Sequence, residues 1–165
     1  MRLTVKLINL KGESIIGYMK LSLPAKIILA AVVYVILSQV LHTASTFLTM
    51  GYYTDPNYFP VWSKVMMPGP GPPPATFYYY SIAFSFISGL IYSFVYSRIG
   101  CHFKGKALQK GIRYGLGLFL VAGIPTFFTM YLLVNLPFGL LVSWLTIDTL
   151  LGYLIAGIAI AKIVR

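Results

Sequence analysis

The chain has 165 residues, 58% of them hydrophobic and only 10% charged, with a formal net charge of +10. Soluble domains carry about 25% charged residues, so this composition excludes an ordinary soluble or disordered chain. A nucleic-acid partner would need a soluble basic face; none is expected here, because the basic residues have a topological explanation.

Residues 1–26 form a mixed apolar and basic N-terminal segment. Leu3, Val5 and Leu7 alternate with Arg2, Thr4 and Lys6 at the two-residue period of a strand, whereas Ile15, Ile16, Tyr18 and Met19 resemble one face of a short helix. Lys11-Gly12-Glu13-Ser14 is a turn signal. The expectation is a segment lying on the cytoplasmic interface, with a short hairpin as the alternative. Pro24 sits where a helix would start.

Residues 27–165 hold four apolar stretches, about Ile27–Thr49, Phe77–Ser97, Ile112–Val134 and Phe138–Ala161. Each can cross a hydrocarbon core of about 30 Å at about 1.5 Å per helical residue. Arg2, Lys6, Lys11, Lys20 and Lys26 precede the first stretch, and Arg98, Lys104, Lys106, Lys110 and Arg113 separate the second from the third. Lys162 and Arg165 follow the fourth, and Lys64 alone falls in the other connections. The positive-inside rule then places both termini in the cytoplasm, with anionic lipid headgroups as the partner of the basic face. The run Ile27–Leu37 lacks a small-residue cleavage pattern, so it is expected to be a retained span rather than a signal peptide.

Within the first span, Ser38, His42, Ser45 and Thr49 share one helical face, and polar groups facing lipid are costly. The loop at 51–75 carries Tyr52, Tyr53, Tyr58, Phe59, Trp62, Met66 and Met67 and then a proline-rich run from Pro68 to Pro74. Its aromatic part suits a membrane interface and contacts with a neighbour, here Tyr58, Trp62, Met66 and Met67, while the prolines favour a semi-rigid spacer. In the second span Ser81, Ser85, Gly89, Ser93 and Ser97 recur every four residues, a ridge on which another helix can approach closely. Pro125 is expected to kink the third span. Asn135-Leu136-Pro137 makes a tight link that forces the third and fourth spans to be antiparallel neighbours. In the fourth span, Trp144, Asp148, Gly152 and Ala156 lie four apart, with Gly152 and Ala156 as packing positions.

Asp148 is the acidic residue placed inside a span, and such a residue usually faces the protein and has a partner. His42 lies about eight residues in from the end of its span and Asp148 about ten, so at about 1.5 Å per residue their depths agree within a turn. Thr126 and Thr129, beside Pro125, fall at a similar level. The candidate polar intramembrane site is therefore Asp148, His42, Thr126, Thr129 and Trp144. It is either a structural hydrogen bond that fixes helix register or a site that exchanges protons or binds a ligand. No metal or cofactor is expected. The pair Cys101-His102 is too few ligands for structural zinc, a second intramembrane histidine for haem is missing, and Met50, Met66, Met67 and His42 match no copper spacing.

Lys110-Gly111-Ile112-Arg113-Tyr114-Gly115-Leu116, Gly123-Ile124-Pro125, Leu136-Pro137, the fourth-span Trp144 and the set Trp62, Met66 and Met67 resemble a loose group of small, uncharacterised four-span bacterial membrane proteins. The resemblance implies a bacterial inner membrane and a four-helix arrangement, and carries no functional residue.

The expected fold is all-α: an integral-membrane, antiparallel four-helix bundle with a long extracytoplasmic loop between the first two spans. The expected role is a non-catalytic subunit or accessory protein of a larger membrane complex, with other membrane subunits and the bilayer as partners. The alternatives are a small proton-coupled carrier using Asp148 and a lipid- or quinone-binding protein with a pocket at Tyr79, Tyr80 and Trp144. The sequence favours a non-enzyme, since the Asp-His pair is its sole acid–base constellation.

Overall fold

The computed structural model describes residues 2–8, 14–63, 65–69 and 71–164, with side chains from residue 21 onward. Strands β1 (Arg2–Ile8) and β2 (Ser14–Lys20) pair antiparallel, Arg2 opposite Lys20 and Val5 opposite Gly17. The helical face expected at Ile15–Met19 is therefore a strand. A seven-residue segment is too short to hold a helix on its own, and β-branched and aromatic residues fit a pairing partner well. The turn expected at Lys11-Gly12-Glu13 lies outside the described residues.

The rest of the described chain is dominated by four helices, each long and apolar enough to cross a membrane: Leu23–Leu48, Ala75–His102, Ala107–Leu133 and Phe138–Val164. Three of them begin before the apolar stretches of the sequence. Hydropathy marks the length that suits a hydrocarbon core, while helix starts follow local caps. The Ser22 hydroxyl accepts from the Ala25 N–H at 3.5 Å ahead of α1 (Leu23–Leu48). Gln109 accepts from the Lys106 N–H at 3.1 Å at the start of α4 (Ala107–Leu118). Between the first two long helices lie α2 (Met50–Thr54) and a 3₁₀ turn at Pro56–Val61, begun by the Asp55 carboxylate accepting from the Asn57 N–H. The second long helix is α3 (Ala75–Ile99) with a short 3₁₀ extension.

Both later helices contain π-helical turns. In the third, Pro125 has no N–H to return to Val121; the chain widens over Phe119–Gly123, and the Ile124 N–H donates to the Phe119 carbonyl before α5 (Ile124–Leu133) resumes. The irregularity expected at Pro125 thus takes the form of a wider turn ahead of it. The fourth helix runs from α6 (Phe138–Ser143) through π turns at Trp144–Leu151 to α7 (Gly152–Val164). No proline marks that stretch. Thr146 Oγ1 donates to the Val142 carbonyl at 2.9 Å, so a side chain competes for an acceptor where the wide turns begin.

Two interfaces organise the long helices. A Cβ built at Gly111, Gly115 or Gly157 would collide with the facing backbone of α7 or α4, so these helices meet main chain to main chain. Beside this contact Tyr96, Tyr114, Ile160, Ala161 and Val164 form a buried cluster with Ala30. The second interface sets α1 on α3. A methyl at Gly89 would lie 2.9 Å from Ala31 Cα, and Ser93 is fully buried. Ser81 and Ser85 face Gln39, whose Nε2 donates to their hydroxyls at 3.0 and 3.5 Å. Ser97 instead donates to the Phe94 carbonyl of its own helix.

Candidate functional site

Asp148 lies within the π turns of the fourth long helix and meets the polar face of α1. Its Oδ2 accepts from the Ser45 hydroxyl at 2.7 Å, and its Oδ1 lies 3.4 Å from Nδ1 of His42. The His42 contact is close enough for an ion pair and longer than an ordinary hydrogen bond. Oδ1 is buried and has no hydrogen-bond partner among the described residues. The side chains of His42 and Asp148 are 39% and 19% exposed, so the histidine faces open space with the carboxylate behind it. π turns widen the backbone and recur at functional positions; here they carry the one acidic side chain of the long helices.

The pair borders a cavity of about 680 Å³ between α1, α3 and the fourth long helix. Ser38, Gln39, Ser81, Ser85 and Ser88 supply its other polar groups, and Leu37, Leu41, Phe77, Tyr80 and Phe84 its apolar walls. Gly152 and Ala156 form its floor. Ser63 and Val65 of the connection between the first two long helices reach its rim. Tyr80 and Phe84 are 53% and 62% exposed, so the wall made by α3 continues onto the outer surface of the molecule.

The structure separates several residues that the sequence groups together. Thr126 and Thr129 are exposed and line no part of this cavity; Thr129 donates to the Pro125 carbonyl at 2.9 Å. Similar position along the span did not place either threonine at the cavity that His42 borders. Trp144 has a partner of its own. Its Nε1 donates to Tyr53 Oη at 3.1 Å, and its ring lies 6.4 Å from Trp62, which stacks on Tyr53 at 4.9 Å. Tyr53, Trp62 and Leu140 are buried together, with Tyr58, Met66 and Met67 packed on them. These connection residues thus make contacts within the chain. Burial raises the Tyr53 hydroxyl above the usual tyrosine range, and the hydrogen bond from Trp144 works against that shift. Of the aromatic residues expected at a lipid or quinone pocket, Tyr80 lines the cavity and Tyr79 is 72% exposed.

Gly152 is not a tight packing position, since a methyl there would meet only Leu41 Cδ1 at 3.8 Å and the Ile147 carbonyl at 4.0 Å. Gly111, Gly115, Gly157 and Gly89 are tight against a neighbouring backbone. Ser45, the hydroxyl that binds Asp148, was legible as part of the Ser38–His42–Ser45–Thr49 face but not as the carboxylate's partner. Cys101 and His102 are exposed, with Sγ 3.3 Å from Nδ1. Among the described residues no three His, Cys, Asp or Glu side chains gather as metal ligands. Comparison with known proteins finds no matching family model, no matching curated protein and no matching solved structure.

Proposed function

We propose that the chain is a non-catalytic, multi-pass protein of a bacterial inner membrane that binds a small lipid-phase molecule beside His42 and Asp148. The cavity of about 680 Å³ carries this proposal. Ligand sites are typically concave, mostly apolar and about 300–1,000 Å³, with a few convergent polar groups. The exposed Tyr80 and Phe84 offer a lateral entry from the acyl chains. In the same proposal the helices form an antiparallel bundle, both termini and the Arg98–Arg113 segment lie in the cytoplasm, and the connection after α1 is extracytoplasmic. The distribution of Lys and Arg supports that orientation. Reporter fusions at the C-terminus and within Pro68–Pro74 are expected to report opposite sides; the same side for both rejects the four-span topology.

A proton-linked carrier is the second proposal, favoured by one observation: Asp148 Oδ1 lies 3.4 Å from His42 without a hydrogen bond of its own. A role as a subunit of a larger complex rests on less. The exposed Val121, Phe128, Leu132 and Leu133 of the third helix would suit a partner, but contact with lipid alone calls for the same residues. Purification in mild detergent, solvent extraction and mass spectrometry test the three together. A co-purifying small molecule that is lost in Asp148→Leu supports binding. A pure protein with no extractable ligand, and with proton uptake abolished by Asp148→Asn, replaces binding by the carrier. A stoichiometric second protein chain replaces both by the subunit role.

A further inference from the structure

A second cavity, of about 610 Å³, shares His42 and Phe77 with the first. Its character differs. Tyr53, Phe59, Tyr78, Met66 and Met67 dominate its walls. Thr43, Thr46 and Thr54 reach it too; the hydroxyl protons of Thr46 and Thr54 go to the carbonyls of His42 and Met50, at 2.8 and 3.3 Å. His42 is therefore the imidazole common to a chamber lined partly by hydroxyls and an aromatic one. Aromatic rings favour offset or edge contacts with a flat ligand, and thioethers pack well at ring edges.

The pair also fixes what His42 can offer. Ser45 holds Asp148 Oδ2, which leaves Oδ1 to face Nδ1 of His42 at 3.4 Å. With Asp148 ionised, this approach is favourable when Nδ1 carries the proton. Neutral imidazole then keeps its lone pair on Nε2, which points away from the carboxylate. In that tautomer His42 presents a hydrogen-bond acceptor, matched by a ligand O–H and not by an ether or carbonyl oxygen.

We propose that the two cavities are one site for an aromatic alcohol of the phenol or hydroquinol class. Its ring lies among the aromatic and methionine side chains, and its hydroxyl donates to Nε2 of His42. This rests on the cavity being a ligand site, as proposed above, and adds the chemistry of the ligand.

The test compares para-heptylphenol with its methyl ether on the full chain in nanodiscs. The two tryptophans of the sequence, Trp62 and Trp144, flank Tyr53 on the wall of the second cavity, so their fluorescence reports occupancy. The phenol is expected to bind about 10-fold more tightly, which corresponds to about 1.4 kcal/mol. His42→Phe keeps a ring and removes the nitrogens; it is expected to bring the two affinities together while both compounds still bind. Asp148→Asn, which can still accept from Ser45, is expected to shrink the preference part of the way. Equal affinities in the unmodified protein overturn recognition of the hydroxyl and leave the cavity intact as a binding site. A preference that survives His42→Phe overturns the assignment to His42. Failure of both compounds to bind overturns the site for this ligand class, and the extraction experiment above then decides separately whether the cavity binds anything else.

Discussion

Two helix interfaces in this protein are built from small residues and have opposite consequences. Between α4 and α7, Gly111, Gly115 and Gly157 bring the backbones so close that a single added methyl would strike main chain. Between α1, α3 and the fourth helix, Gly89 gives one close approach to Ala31, but Ser81, Ser85 and Gly152 border an open cavity instead. Four-residue spacing on its own does not distinguish these outcomes. What fills the facing helix does: α7 presents glycine and backbone, whereas α1 presents Gln39, His42 and Ser45, whose polar ends need partners and leave room. The first interface is suited to hold the fold and the second to hold a molecule.

Substitutions can break or sharpen this contrast. The largest loss is expected from Gly111→Ala and Gly115→Ala, because backbone cannot rotate out of the way. Overpacking of this kind costs about 1–3 kcal/mol, and the upper end is expected here, read as a clear fall in the thermal midpoint in detergent. An unchanged midpoint would mean that the two helices are not in main-chain contact.

Asp148→Leu comes next. It leaves the Ser45 hydroxyl and His42 facing an apolar group, and stranding a buried polar partner costs about 1–3 kcal/mol. Asp148→Asn, which can still accept from Ser45, is expected to retain most of the stability. If the two variants melt together, the carboxylate contributes no structural bond.

Trp144→Phe keeps an aromatic ring against Trp62 and removes the donor to Tyr53. A loss of about 1 kcal/mol is expected, with the Trp62 emission altered as the surviving tryptophan. Native emission and native stability together would place Trp144 outside the cluster.

The smallest effect sharpens the comparison most. Gly152→Ala and Gly117→Ala should be neutral or stabilising by about 0.5–1 kcal/mol, as expected when alanine replaces glycine in a helix without a clash. Gly117 has no neighbour within 4 Å of an added Cβ, and Gly152 meets only the ordinary contacts of Leu41 and Ile147. Destabilisation at Gly152 comparable to that at Gly111 would show that the cavity floor is as tightly packed as the glycine interface.

The sequence by itself determined the number and approximate position of the four apolar helices, because twenty-odd consecutive apolar residues have few other solutions. It also determined that Asp148 needs a partner inside the protein, since an unpaired carboxylate at mid-helix is costly. It singled out His42 by depth along the helix, which depends only on residue count. Direction around the helix was another matter. Thr126 and Thr129, grouped with the pair by residue count, are exposed and line no part of its cavity, and Trp144, four residues from Asp148, serves the Tyr53–Trp62 cluster. Only the tertiary structure could decide these, because the π turns at Trp144–Leu151 shift the angular phase on which four-residue spacing relies. It alone also decided that β2 is a strand, through pairing with β1, and that Ser45 completes the carboxylate site. Both depend on which segments become neighbours in space, a property that no local pattern encodes.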